Sequence, residues 1–237
     1  MVSKSASICL LQSAGELSLT ELASISQHAK GLSPEELLKL EATLRLDVES
    51  EFDARFLAGH LAQQSWTMCS ALEQALDQWL LDENLHQELF LQVYGAAFPD
   101  RVEDLKRDLE VRDHGVAFEP IQHLMGSEFE VLCLLSYDEL ATVKAYRALL
   151  PQYRLLGPSM TPLLDLVVRD EGQHYAIFAR ILRAQYPARL GEAADQVDKI
   201  RSNEGTPYGS TFVLDHDCDD WTDSIFDETV IQLKRAL

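Results

Sequence analysis

The sequence has few basic residues, no long apolar run and almost no pattern typical of β-strands. Lys and Arg total 20 against 39 Asp and Glu, which gives a formal net charge of −19 over 237 residues. Such an acidic surface argues against nucleic acid or an anionic membrane as the main partner, because both are negatively charged. A membrane-spanning helix needs roughly 18 uninterrupted apolar residues, and no segment approaches that length. We therefore expect no nucleic-acid partner and no membrane partner.

Cysteine is also scarce and contributes no recognisable motif. The four copies are Cys9, Cys69, Cys133 and Cys218. They form no C-x-x-C pair, and three lie among apolar residues, where a reduced cysteine behaves as a small hydrophobic side chain. The N-terminal apolar run, residues 8–11, is too short for the core of a signal peptide. These features predict a cytoplasmic protein.

Helix signals dominate what the sequence does contain. Ser33, Pro34 and Glu36 form an N-terminal capping pattern, and the long helix that follows is predicted over residues 35 to about 64. Three further long helices are predicted: from about Met68 to Phe90 or beyond, after Pro120, and from Thr161 to about Tyr186. With 46% apolar residues the chain can bury a core.

Four long helices with short connections predict an all-α fold, a four-helix bundle with extra short helices. We expect a single domain over residues 1–237. Its core bundle would span about 34–186, and residues 187–237 would form a C-terminal extension of helices and loops. Bundles of this kind build their sites from side chains that face inward.

The motif E-x-x-H occurs twice, as Glu83 and His86 in DENLH and as Glu171 and His174 in DEGQH. Residues three apart on a helix share a face, so each pair offers a carboxylate and an imidazole to one point. One copy is weak evidence, because the chain is rich in glutamate. Two copies on separate long helices are typical of a carboxylate-bridged di-metal site, which also needs one glutamate from each of the other two helices.

Candidates for these two further ligands lie in the remaining long helices. Glu139 is flanked by apolar residues over two turns on each side, and a buried carboxylate needs a partner for its charge. In the first long helix both Glu49 and Glu51 qualify. We favour Glu49, because it shares its face with Phe52 and Phe56 at about 100° per residue. Asp53 and His60 lie on the same face and are candidates for further ligands or for partners of the ligands.

These residues resemble a known family. QWLLDENLHQELF, SYDELATVKAY and RDEGQHYAIF are similar to three motifs of the soluble acyl-carrier-protein desaturases and occur in the same order. Similar motifs occur across the ferritin-like di-iron oxidases and oxygenases, including aminobenzoate N-oxygenases and aldehyde-deformylating oxygenases. The resemblance covers residues 49–179. The chain is much shorter than a plant-type desaturase, and its first long helix does not match well.

The resemblance implies a site and a chemistry. It makes Glu83, His86, Glu139, Glu171 and His174 ligands of two iron ions, with Glu49 added from the pattern alone and manganese as an alternative metal. Asp170 would orient a ligand histidine. Thr142 would place its hydroxyl near bound oxygen, although a core threonine bonded to a backbone carbonyl is an equal alternative.

The implied function is that of a non-haem di-iron oxidase or oxygenase. It would use O2 and an external electron donor to oxidise a small, largely apolar substrate such as an acyl chain, an aldehyde or an amine. A homodimer is compatible with this function, and the acidic surface disfavours an acidic carrier protein as partner. An apolar pocket is expected from Phe52, Phe56, Leu132, Leu134 and Leu135. The alternative is a ferroxidase or iron-handling protein, which would use the same ligands without an organic pocket.

Overall fold

The computed structural model describes residues 17–112, 116–214 and 222–237, and all regular structure in these ranges is helical. The helices are α1 (Leu19–Ala29), α2 (Pro34–Leu61), α3 (Ser70–Ala97), α4 (Val102–Val111), α5 (Glu128–Tyr153), α6 (Met160–Gln185), α7 (Leu190–Arg201) and α8 (Asp223–Ala236). The prediction of an all-α fold is confirmed for these residues. Cys9 and Cys218 lie outside the described ranges.

Capping side chains set where the long helices begin. At the start of α2, Ser33 Oγ accepts a hydrogen bond from the backbone N–H of Glu36, and the Glu36 carboxylate accepts one from the N–H of Ser33. This is the predicted capping box. Helix α5 begins later than predicted, at Glu128, where Ser127 caps it. Between Pro120 and Ser127 the chain makes only one 3-10 turn, residues 122–124.

The four long helices, α2, α3, α5 and α6, pack on one another in antiparallel pairs. Between α2 and α5, Tyr146 bonds Glu51 and Tyr153 bonds Asp47, so residue numbers rise along one helix as they fall along the other. Helices α3 and α6 are also antiparallel, because His86 of α3 contacts Asp170 of α6 while Asp82 contacts His174. Helix α1 packs against α3, while α7 and α8 pack against α5.

Two apolar cores lie along these helices, one on each side of a polar layer. One core contains Leu44 of α2 and Phe90 of α3, and the other contains Leu57 of α2 and Trp79 of α3. The buried acidic residues Glu51, Glu83, Glu139 and Glu171 occur where each helix passes from one core to the other. The helix pattern therefore brings all four carboxylates to one level of the molecule.

A segment after α7, residues 208–214, covers one side of this level, and we call it the cover segment. Asp53 of α2 is fully buried and binds Arg112 through both of its oxygens, at 2.8 and 2.9 Å. The same carboxylate accepts hydrogen bonds from the Ser210 hydroxyl and from the backbone N–H and hydroxyl of Thr211. Asp53 thereby fastens the cover segment to α2.

In the part of the chain that the structure describes, no helix is long and apolar enough to cross a membrane.

Replacing Asp53 by alanine is expected to lower the free energy of unfolding by about 3 kcal/mol, because Arg112 would lose its bidentate partner and the cover segment its anchor. The matched control is Asp108→Ala, which removes an exposed partner of Arg45 and should cost less than about 1 kcal/mol. Urea unfolding of both variants measures the difference. Equal losses would mean that Asp53 is not an anchor.

Candidate metal centre

Six buried side chains from the four long helices converge at the polar layer. They form two groups, and in each group one possible ligand atom from every residue lies within 4.8 Å of those from the others. The first group is Glu51, Glu83, His86 and Glu171, and the second is Glu83, Glu139, Glu171 and His174. None of the six is more than 4% exposed. Each group could hold a metal ion, and the two groups share two carboxylates.

The shared carboxylates are those of the two E-x-x-H motifs. Glu171 places one oxygen 3.2 Å from Nδ1 of His86 and the other 3.1 Å from Nδ1 of His174. Glu83 likewise places one oxygen 3.7 Å from Nδ1 of His86 and the other 3.2 Å from Nδ1 of His174. Each carboxylate therefore spans the two histidines, which is the geometry of a ligand that bridges two metal positions.

The other two carboxylates each serve one group. Glu51 lies with its Oε2 atom 3.7 Å from Nδ1 of His86, and Glu139 lies with its Oε2 atom 3.4 Å from Nδ1 of His174. The arrangement is thus nearly symmetric. Each group contains one histidine, one unshared glutamate and the two shared glutamates.

An aspartate precedes the glutamate in both E-x-x-H motifs, and each aspartate faces the histidine of the other motif. Asp170 Oδ2 lies 3.6 Å from Nε2 of His86, and Asp82 Oδ2 lies 3.3 Å from Nε2 of His174. A carboxylate behind an imidazole orients the ring and makes it a better ligand. Asp170 is thus close to a histidine, as predicted. Asp82 was missed, although the repeated string D-E-x-x-H could have indicated it.

Burial and mutual repulsion favour protons on two of the carboxylates. Burial, together with the charges of Glu171 and Glu51, raises the pKa of Glu83 to about 8. Burial and the charge of Glu171 also raise the pKa of Glu139 well above its usual value. For Glu171 itself burial acts in the same direction, but the charge of His86 and the hydrogen bond with His174 outweigh burial and lower the pKa well below its usual range.

The two histidines also hold protons. Burial by itself would lower the pKa of His86, yet the charge of Glu171 and the nearby Asp170 carboxylate raise it well above its usual value. The pKa of His174 is raised in the same way, against burial, by Glu139 and by Asp82. At neutral pH the metal-free cluster therefore binds protons where metal ions would bind.

The chemistry of the donor set fits divalent metal ions. Both ring nitrogens of His86, one oxygen of Glu51 and one of Glu83 are buried without a hydrogen-bond partner. Buried polar atoms of this kind are expensive unless something binds them. Four carboxylates and two neutral imidazoles carry a charge of −4, which two divalent ions would neutralise.

The structure places Glu51, and not the favoured Glu49, among the clustered side chains. Glu49 is bound by Arg45 and Arg112 and lies outside both groups. The buried stripe of α2 runs instead through Leu44, Val48 and Glu51. Phe52 and Phe56, which suggested the wrong face, are only partly buried and pack edge to face on each other.

The neighbours predicted together with Glu49 also lie away from the cluster. Asp53 binds Arg112, and His60 bonds Gln122 and stacks on Phe118. The face that carries Asp53 is buried because α4 and the cover segment lie over it. Nothing in the sequence near Glu49 indicated that coverage.

A small cavity of about 30 Å³ adjoins the cluster, with room for about one or two water molecules. The residues that line it are mainly polar or acidic ones, namely Leu46, Asp47, Ser50, Glu51, Glu83, Asp138, Glu139, Thr142, Tyr146, Glu171, Thr211 and Phe212. The five apolar residues expected to form a pocket are absent from this wall. Leu132, Leu134 and Leu135 belong to one of the apolar cores. A second cavity, of about 40 Å³, lies beside Asp82, Asp170 and His174.

Thr142 does reach the site. It lines the first cavity next to Glu139, as the resemblance implies, and its hydroxyl donates a hydrogen bond to the backbone carbonyl of Asp138 at 3.1 Å. Both alternatives for this threonine are therefore compatible with its position.

Comparison with known proteins adds no assignment. No protein-family model matches the chain, and no curated protein or solved structure is significantly similar to it. The case for a function therefore depends on the residues and on their geometry.

Because the metal-free cluster holds protons on Glu83, Glu139 and the two histidines, metal binding should release protons. The apparent affinity for Mn²⁺ is then expected to rise as the pH increases from about 6 to about 8. Calorimetric titrations in buffers of different ionisation enthalpy would measure the number of protons released. An affinity independent of pH would contradict this arrangement of protons.

Proposed function

We propose that the chain is a ferritin-like four-helix bundle that binds two metal ions and uses them in an O2-dependent oxidation. The observation that carries the proposal is the pair of E-x-x-H motifs on the antiparallel helices α3 and α6. Their glutamates lie between both histidines, and α2 and α5 each add one carboxylate. A duplicated and nearly symmetric ligand set on four helices is typical of carboxylate-bridged di-metal proteins.

Iron is the metal that we favour, with manganese as the alternative. Carboxylate and imidazole donors suit both ions, whereas sites for softer metals use thiolates. The nearest cysteines in sequence, Cys69 and Cys133, are in neither ligand group. When bound, two iron(II) ions would supply electrons for the reduction of O2. The resemblance of DENLH, SYDELAT and DEGQH to the desaturase motifs supports the same chemistry.

The chain's own residues prepare the site in three ways. Asp82 and Asp170 hold the two histidines from behind, so that each Nδ1 faces the shared glutamates. The apolar cores on either side keep bulk water away from the polar layer. Thr142 offers a hydroxyl at the cavity wall. Any further electrons that a reaction needs would come from an external donor.

The main candidate substrate is a small organic molecule, largely apolar, as the resemblance implies. The cavity of about 30 Å³ is too small for such a molecule. Its wall includes Thr211 and Phe212 of the cover segment, so an organic substrate would have to displace this segment. Oxidation of an acyl chain, an aldehyde or an amine thus requires the cover segment to move.

A second candidate function is the oxidation or handling of iron itself, and the same cavity favours it. Its wall carries the acidic residues Asp47 and Asp138 in addition to the four glutamates. An acidic cavity of this size suits a small inorganic cation better than it suits an acyl chain. In this reaction Fe²⁺ would be the substrate.

Metal analysis after anaerobic loading tests the ligand set. The wild-type chain is expected to bind about two Fe²⁺ ions, and Glu171→Ala should abolish binding, because both groups share Glu171. Glu51→Ala should weaken binding at one position. Glu49→Ala is the matched control on the same helix, and it should still bind two ions. Equal effects of Glu51→Ala and Glu49→Ala would refute the assignment of the α2 ligand.

Oxygen consumption by the iron-loaded protein separates the two candidate substrates. If the substrate is organic, one class among acyl, aldehyde and amine compounds should stimulate O2 uptake, and Phe212→Ala should raise the rate several-fold by opening the cavity. Phe129→Ala is a control, because Phe129 is a buried phenylalanine that lies outside the cavity wall and packs on Tyr186 instead of the cover segment. Sustained uptake driven by excess Fe²⁺ alone, with no response to organic compounds, would favour iron oxidation instead.

A further inference from the structure

Two aromatic side chains donate hydrogen bonds to the unshared carboxylates. The Tyr146 hydroxyl donates to Glu51 Oε1 at 2.7 Å, and Trp79 Nε1 donates to Glu139 Oε1 at 2.7 Å. Both aromatic residues are buried, and Trp79 is only 1% exposed. Each bond joins two different helices. Tyr146 of α5 reaches across to α2, and Trp79 of α3 reaches across to α5.

In both glutamates the other oxygen faces the cluster. Glu51 Oε2 lacks a hydrogen-bond partner and lies nearest Nδ1 of His86. Glu139 Oε2 lies nearest Nδ1 of His174. The two oxygens of each carboxylate thus have different surroundings, one bound to an aromatic donor and one turned towards a metal position.

We propose that Tyr146 and Trp79 are positioning residues that make Glu51 and Glu139 one-oxygen ligands, while Glu83 and Glu171 use both oxygens. The inference rests on the proposed metal centre and adds to it how the unshared glutamates bind. Neither aromatic residue touches a metal position itself. Each acts through the carboxylate that it holds.

The physical reason is the freedom of a glutamate carboxylate. Its terminal torsion is broad and roughly two-fold, so an unrestrained carboxylate can turn and present both oxygens to one ion. A hydrogen bond from a rigid aromatic ring removes this freedom, because the donor cannot follow the rotating oxygen. Bonds to a charged acceptor in a buried site are also stronger than ordinary ones.

The rings themselves are held in place by their neighbours. Phe90 stacks on Tyr146 with ring centres 5.6 Å apart, and Phe212 of the cover segment packs edge to face on Trp79 at 5.2 Å. The second contact connects the cover segment to Glu139 through Trp79. The orientation of Glu139 therefore depends, through Trp79, on the ring of Phe212, which also lines the cavity.

Two variants remove the donors, Tyr146→Phe and Trp79→Phe, and each has a matched control. Tyr153→Phe removes a hydroxyl on the same helix that bonds Asp47, a carboxylate outside both ligand groups. Trp66→Phe removes an indole whose N–H donates to the backbone carbonyl of Met125. Each control also loses one hydrogen bond from an aromatic donor, but without affecting a ligand carboxylate.

The measurements are made on purified protein loaded with Co²⁺ in the absence of O2. The visible absorption of Co²⁺ reports its coordination number, and the separation of the two carboxylate stretches in the infrared distinguishes one-oxygen from two-oxygen binding. In the variants we expect a shift towards two-oxygen binding, weaker visible absorption, and a 10- to 100-fold loss of Co²⁺ affinity at one position. The controls should keep the wild-type spectra.

The possible outcomes separate this inference from the metal centre on which it rests. If the wild-type protein binds no Co²⁺, Mn²⁺ or Fe²⁺, both ideas fail. If it binds two ions and Tyr146→Phe and Trp79→Phe leave the infrared and visible spectra unchanged, only the positioning role fails. Spectral changes of equal size in Tyr153→Phe and Trp66→Phe would also overturn it, because loss of a buried hydrogen bond anywhere would then suffice. Circular dichroism confirms folding in each case.

Discussion

Four carboxylates buried at one level between two apolar cores are the constraint on which the rest of the structure depends. An isolated buried carboxylate costs several kcal/mol, and four that face one another also repel. The protein compensates with two histidines between the carboxylates, two aspartates behind the histidines, and aromatic donors to Glu51 and Glu139. In the metal-free chain protons provide the remaining compensation, because burial and the neighbouring charges raise the pKa of Glu83.

The same constraint organises the surroundings of the site. The cores on either side keep water away and hold the four helices at the same level, so that motifs far apart in sequence meet. One flank of α2, the side that carries Asp53, is covered differently, through hydrogen bonds of Asp53 with Arg112 and with the cover segment. This flank is polar and fastened by hydrogen bonds, whereas the cores are fastened by apolar contacts.

The position of each helix along the chain was predictable to within a few residues where capping residues mark the ends, as at Ser33. The start of a helix was not predictable where a single 3-10 turn precedes it, as between Pro120 and Ser127. The five candidate ligands in DENLH, SYDELAT and DEGQH could be selected because residues three apart on a helix share a face and Glu139 lies in an apolar stretch. Glu51 could not be separated from Glu49, because both faces of α2 are partly apolar. The Phe52–Phe56 pair marks a surface that is only partly buried.

By itself the sequence determined the helical class, the two E-x-x-H faces and the need for carboxylate partners, since periodicity and burial cost are local properties of a helix. Only the tertiary structure decided which glutamate of α2 faces the centre, that Asp82 and Asp170 serve the opposite motif, and that Tyr146 and Trp79 hold the unshared carboxylates. It also replaced the expected apolar pocket with a small polar cavity. These features depend on how helices distant in sequence rotate against one another, which no local pattern specifies.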